Sequence, residues 1–95
     1  MLQVTTTVDG RPAFRGPLDR LAVPAMETVF AQLDGQSEVD LSGVVFFDSR
    51  ALRAFLRARR QNVNLRIVNP SKAVVRMLDI TGTFDYLVNG GEVSW

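Results

Sequence analysis

Cysteine and histidine are both missing from the 95 residues of this chain. Their absence excludes disulfide bonds, thiolate nucleophiles, imidazole bases and the commonest zinc ligands. Glycine-rich phosphate-binding loops of the G-x-G-x-x-G or G-K-S/T type are missing as well. Because the usual nucleophile and base pairs cannot form, we expect a protein that is not an enzyme and that binds no metal and no cofactor.

Long apolar runs are also lacking, since none approaches the roughly 18 to 20 residues that cross a bilayer. The opening Met1-Leu2-Gln3 does not resemble the start of a signal peptide. These two observations predict no membrane insertion and a cytoplasmic location.

The composition is that of an ordinary globular protein, with 46% hydrophobic residues, 22% charged residues and a net charge of +1. No internal repeat, linker or low-complexity block interrupts the chain. We therefore expect residues 1–95 to form a single domain.

The charge is unevenly distributed along the chain. Residues 49–78 contain seven arginines, one lysine and no acidic residue, a charge of +8, and the remainder carries −7. Such polarity can steer an oppositely charged partner, although a solvated helix face explains it equally well. Nucleic acid is an unlikely partner, because basic and aromatic residues are not interleaved and no nucleic-acid-binding motif matches.

The N-terminal region predicts a β-hairpin. Residues 2–8 are rich in threonine and valine, and Asp9-Gly10 indicates a two-residue turn. Residues 11–16 would return antiparallel, with Pro12 keeping this strand near an edge and Pro17 ending it.

Two helices and a strand follow from apolar spacing and from capping residues. A first helix is predicted between residues 21 and 33, with Gly35 placed to end it. Residues 65–68 predict a strand. A later helix is capped by Ser71 and closed by Thr81-Gly82. Residues 84–88 are ambiguous and could form a helical turn that leads into a last short strand.

The most informative stretch, residues 39–60, predicts a strand, a turn at Ser42-Gly43, an apolar run and then a helix capped by Asp48-Ser49. Its core-facing positions recur at helical spacing, and they are Leu52, Phe55, Leu56 and Arg59. The outward positions are Arg50, Arg53, Arg57 and Arg60. Taken together, the elements predict an α/β fold with a mixed β-sheet of four to five strands, an N-terminal antiparallel hairpin and about three α-helices packed on the sheet.

Three segments resemble a STAS domain, the family of bacterial anti-sigma-factor antagonists. They are FRGPLD from Phe14, DLSGVVFFDSRAL from Asp40 and LRIVNPSKAVVRMLDITG from Leu65. The likeness spans roughly residues 14–87. It implies a STAS-like fold, a role in transcription regulation through protein–protein interaction, and a partner that is an anti-sigma factor or a serine protein kinase.

The resemblance also implies which residues act. The residue after the aspartate of the family's Asp-Ser-Ser-Gly-Leu-type motif is phosphorylated by the partner kinase, and here it is Ser49. Asp48 and Leu52 match that motif, whereas Arg50 stands where the family has Ser or Thr and Ala51 where it has Gly. The residues implied to contact the partner are Asp19, Phe46, Asp48, Ser49, Arg50, Leu52 and Arg53.

Several other interpretations stay open. The chain could be a STAS adaptor subunit of a transporter or sensory complex that is never phosphorylated, and Arg50 favours this slightly. Asp48 could be a phosphoaspartate with Lys72 as a phosphate contact, but the further acidic pair that such a site needs is missing. Asp48 and Ser49 could simply cap a helix. Val93 and Trp95 could fold back over exposed apolar surface of the sheet, or they could cover it in a second copy of the chain, which would make a homodimer.

Overall fold

The sheet and helices are seen in a computed structural model that describes residues 1–33 and 36–91. In chain order the strands and helices are β1 (Gln3–Thr6), β2 (Pro12–Leu18), a 3-10 turn (Arg20–Ala22), α1 (Val23–Ala31), β3 (Gln36–Phe47), α2 (Ser49–Gln61), β4 (Asn64–Val68), α3 (Lys72–Thr81) and a π-helical turn (Asp85–Asn89). None of the described helices is long and apolar enough to cross a membrane.

The four described strands form one mixed sheet in the order β1-β2-β3-β4. β1 pairs antiparallel with β2, and the pairs β2–β3 and β3–β4 are parallel. The predicted α/β fold with an N-terminal antiparallel hairpin is thus confirmed. The helical turn predicted within residues 84–88 is confirmed as a π-helical turn at Asp85–Asn89, and a last strand beyond residue 91 lies outside the described residues.

The core lies between the sheet and the helices and is built around four phenylalanines. Phe55 of α2 contacts Phe14 of β2, Phe30 of α1 and Phe47 of β3, with ring centroids 6.4, 5.0 and 5.9 Å away. Two of these contacts are edge-to-face, the arrangement that aromatic quadrupoles favour. Phe55, which lies in the central segment of the sequence, therefore packs α2 against both α1 and the sheet.

The hairpin turn is wider than the Asp9-Gly10 pattern predicts. The N–H of Thr7 donates to the Arg11 carbonyl at 2.8 Å, and Thr7 Oγ1 accepts from the Arg11 N–H at 3.0 Å. Gly10 has φ +83° inside this loop. The two-residue turn was wrong because the Thr7 side chain satisfies the backbone of a longer loop, which Gly10 still allows to turn.

β2 is a central strand, so the prediction that it lies near an edge was wrong. It runs through Pro17 to Leu18 between β1 and β3. Pro12 faces Thr6 at the end of the β1 ladder, and Pro17 lies beyond the Gln3–Arg15 pair that ends the ladder on the other side. Both prolines therefore occur where the missing N–H costs the hairpin nothing.

The turn predicted at Ser42-Gly43 was also wrong, because β3 continues through it. β3 pairs with β2 from Ala13–Asp40 to Leu18–Phe47, with two register shifts along the way. Each shift leaves one more residue on β3 than on β2, as in a β-bulge. Ser42-Gly43 has the chemistry of a turn because it lies in the first of these irregularities.

The remaining helices agree with their capping signals. Asp48 is the N-cap of α2. Arg59, which the helical spacing predicts to face the core, is 8% exposed. Its guanidinium carbon lies 4.6 Å from the centroid of the Tyr86 ring. Ser71 caps α3 by accepting from the Val74 N–H at 3.4 Å, and Gly82 ends it at φ +71°. The predicted roles of Gly35, Val93 and Trp95 lie outside the described residues.

Candidate functional site at the carboxyl ends of β2 and β3

Two strand ends meet at one edge of the sheet and bring the candidate residues together. Leu18 is the last residue of β2, and it pairs in parallel with Phe47, the last residue of β3. The Asp48 N–H donates to the Leu18 carbonyl at 3.3 Å. Asp19 and Asp48 therefore follow neighbouring parallel strands at the same edge, although 28 residues separate them in the sequence.

Both aspartates cap the turn or helix that follows. Asp48 Oδ1 accepts from the Arg50 and Ala51 amides at 3.0 and 2.9 Å. Asp19 Oδ1 accepts from the Leu21 and Ala22 amides at 3.0 and 3.2 Å. These bonds satisfy the free amides of the first turns and fix the direction in which each turn leaves the sheet.

Ser49 is the first residue of α2 and is exposed. Its hydroxyl is not needed as a cap, because Asp48 already accepts from the amides of the first turn. The side chain lies where the partial positive charge of a helix N-terminus is greatest. Ser49 is thus an exposed hydroxyl at the N-terminus of α2, directly after the capping carboxylate of Asp48.

Apolar side chains are exposed at the same edge. Phe46 is 51% exposed and Val45 is 72% exposed near the end of β3, and Leu21 is 78% exposed in the 3-10 turn that Asp19 caps. Leu21 and Val45 were not among the predicted site residues. Leu21 had one usable signal, because it precedes the apolar positions of α1 without sharing their helical spacing.

The other predicted contact residues on α2 differ in exposure. Arg50 and Arg53 are exposed. Leu52 is only 6% exposed and belongs to the core. The Leu52 side chain therefore has little accessible surface for the partner contact expected of it, because it packs in the core. We call the edge formed by Asp19, Leu21, Phe46, Asp48, Ser49 and Arg50 the Ser49 surface.

A buried carboxylate lies further back along β3 and positions the chain after β4. Asp40 Oδ1 accepts from the backbone and hydroxyl of Ser42 at 2.9 and 2.7 Å, and Asp40 Oδ2 accepts from Asn69 Nδ2 at 2.9 Å. Burial raises the pKa of Asp40, but these hydrogen bonds and the positive charge of Arg11 outweigh it and hold the pKa below the ordinary value. Asn69 has φ +50°, so the bond from its side chain supports a strained position.

The Ser49 surface combines charged, hydroxyl and apolar groups. Its charged groups are two capping carboxylates and a guanidinium, arranged around a hydroxyl. Within residues 1–33 and 36–91, no three acidic side chains come together as metal ligands would. The site combines an exposed hydroxyl with exposed apolar side chains.

The fold and this edge define a small α/β domain whose sheet presents a serine at the start of a helix. A family model described as "Mlab, STAS domain" matches residues 7–89, so the chain belongs to the STAS family. The resemblance found from the sequence is confirmed, and the match is wider than the residues that carried it. A search of curated proteins found no significant match.

Proposed function

We propose that this chain is a non-enzymatic, cytoplasmic partner-switching regulator of transcription. In its unmodified form it binds an anti-sigma factor or a serine protein kinase through the Ser49 surface. Phosphorylation of Ser49 releases that partner. The observation that carries the proposal is the position of Ser49, exposed at the first residue of α2 while Asp48 supplies the cap.

The release mechanism follows from charge and contact area. A phosphate adds about −1.5 to −2 charges at neutral pH. It would stand beside Phe46 and Leu21, whose exposed apolar area is what a bound partner covers. A partner packed there would have to desolvate the phosphate, which is costly for an unpaired charge. The free chain keeps the phosphate in water beside the helix N-terminus, so phosphorylation favours the free form.

A second candidate function is that of a STAS adaptor held permanently on a transporter or sensory complex. Arg50 favours it, because this exposed cation occupies the position next to the acceptor where the family has Ser or Thr. A kinase that reads a hydroxyl at that position would meet a long charged side chain instead. In the adaptor the Ser49 surface would be a fixed interface without modification.

Binding measurements on charge-mimicking variants test the switch. The partner is first isolated from the host with the Ser49→Ala variant, which should stay in the binding form. Ser49→Asp should then weaken binding at least tenfold, whereas Ser71→Asp, an equal charge change at the cap of α3, should leave the affinity within about threefold. Equal affinities for Ser49→Asp and Ser49→Ala would favour the adaptor and exclude the switch.

A further inference from the structure

The outward face of α2 carries a straight row of arginines. Arg50, Arg53, Arg57 and Arg60 are all exposed, and we call them the arginine stripe. At 100° per residue they fall within about 80° of the helix circumference, and they extend over about 15 Å at 1.5 Å per residue. Their spacing of three, four and three residues is the one with which a helix contacts another helix lying along it.

The stripe is largely uncompensated within the chain. Arg57 lies 3.7 Å from Glu27 of α1, and both side chains are more than half exposed. For Arg50, Arg53 and Arg60 no ion pair is formed within the described ranges 1–33 and 36–91. Like charges at these spacings repel one another, so an anionic surface laid along α2 would relieve that repulsion.

Ser49 lies at one end of the stripe. It is four residues before Arg53, a distance at which two side chains on a helix are neighbours. A phosphate on Ser49 would find the Arg50 and Ala51 amides already held by Asp48. Within the stripe, the cations next to such a phosphate are Arg53, four residues further on, and Arg50, the adjacent residue.

We infer that the partner docks an acidic helix along the arginine stripe, with carboxylates spaced three and four residues apart. The inference rests on the proposed function and names the chemistry of its partner. It also gives Arg50 a role, because phosphorylated Ser49 would draw Arg50 and Arg53 into pairing within the chain and would repel the carboxylates at that end of the acidic helix.

An acidic helix fits this face better than a nucleic acid. The arginine stripe is narrow, and acidic side chains flank it, with Glu27 beside Arg57 and Asp48 beside Ser49. Outside residues 49–78 the chain carries −7. A long polyanion would extend beyond the roughly 15 Å of the stripe and would meet Glu27 and Asp48 at its margins, whereas a helix of about 15 Å matches its length.

The test begins with a photo-crosslinker at the edge of the stripe. The full chain carries p-benzoylphenylalanine in place of exposed Gln61, and a second version carries it in place of Phe46 on the Ser49 surface. Both are irradiated in the host, and the crosslinked segment is sequenced by mass spectrometry. The Gln61 version should capture a protein segment with acidic residues at three- and four-residue spacing. The inference is overturned if the Gln61 version captures nucleic acid or a neutral or basic protein segment. It is also overturned if the Gln61 version captures nothing while the Phe46 version captures a protein.

Charge reversal then measures what the stripe contributes to binding by the captured protein. The Arg53→Glu/Arg60→Glu double variant should weaken binding by about tenfold or more. The Lys72→Glu/Arg76→Glu variant changes the net charge equally on the exposed face of α3 and should stay within about threefold. Lysines replacing the two facing carboxylates of the captured segment should restore binding to the stripe variant.

The outcomes separate this inference from the proposed function. If Ser49→Asp releases the partner while the stripe variant binds as tightly as its α3 control, the acidic helix is excluded and the switch stands. If the stripe variant loses binding and Ser49→Asp does not, the acidic helix stands without the switch. If neither Ser49→Asp nor the stripe variant weakens binding, both the switch and the acidic helix are excluded.

Discussion

At the residue scale, Asp48 and Ser49 have different roles at the start of α2, because Asp48 caps the helix and the Ser49 hydroxyl does not. The sequence left open which of the two caps α2. Asp48 Oδ1 accepts both hydrogen bonds that the Arg50 and Ala51 amides donate, so a modification of the Ser49 hydroxyl would break neither of them. A regulated serine that also capped its helix would couple every modification to a loss of helix stability.

Alanine substitution tests this difference in roles. Asp48→Ala should lower the free energy of unfolding by about 1 kcal/mol, the usual cost of losing an N-cap, and Ser49→Ala should change it by less than about 0.5 kcal/mol. Urea unfolding measures both, with Asp48→Asn as a control that keeps the cap. Equal losses at the two positions would mean that Ser49 shares the capping role.

Asp40 makes the stability depend on pH. Its pKa in the folded chain is below the ordinary value of 3.8. The stability that its charged form contributes is therefore fully present above that value, and it is lost as the pH falls through the lower, folded-state pKa. Asp40→Asn removes this titration.

Urea unfolding between about pH 2 and pH 7 should show the effect. The wild-type chain should exceed the Asp40→Asn variant in stability at neutral pH, and the difference should shrink as the pH falls below 3.8. A difference that stays constant across this range would show that the carboxylate charge plays no part and that only the shape of the side chain matters.

At the element scale, local signals located α2, β4 and α3, because their caps and apolar spacing are properties of neighbouring residues. The same local signals gave wrong predictions in β2 and β3, where they indicated a strand end at Pro17 and a turn at Ser42-Gly43. Gly16-Pro17 and Ser42-Gly43 have turn chemistry, yet both lie inside strands, where pairing between distant segments absorbs them as irregularities. The Ser49 surface was found in outline, but exposed Leu21 was missed because its position depends on the 3-10 turn that Asp19 caps.

Gly16 and Gly43, which lie at the two register shifts between β2 and β3, should differ in how much an alanine substitution lowers the free energy of unfolding. Gly16 has φ +97°, and a Cβ there would lie 2.8 Å from the Met1 carbonyl oxygen, which is backbone. A Cβ at Gly43 would lie 2.9 Å from Cγ of Arg15, an exposed side chain that can rotate away. Gly16→Ala should therefore cost more than about 1 kcal/mol of unfolding free energy, and Gly43→Ala clearly less. Urea unfolding of the two variants would contradict this account if Gly43→Ala were the more damaging.

At the scale of the whole molecule, the buried face of α2 packs in the core, and its outward face is the surface proposed to contact a partner. Phe55 anchors α2 to both the sheet and α1. The opposite side of the same helix carries the arginine stripe, and its first residue is the candidate acceptor. A phosphate on Ser49 would change the charge of this exposed surface while leaving the core packing untouched.

The location of the phosphate in the cell tests the central claim most directly. The chain is isolated from its host by size-exclusion chromatography as two fractions, free and bound to its partner, and each is mapped by phosphopeptide mass spectrometry. Ser42, whose hydroxyl donates to Asp40, and Ser71, which caps α3, serve as internal controls. Phosphate is expected on Ser49 in the free fraction and on no residue in the bound fraction. Equal phosphorylation of Ser49 in the two fractions, phosphate on another residue alone, or no phosphate in either fraction would contradict it.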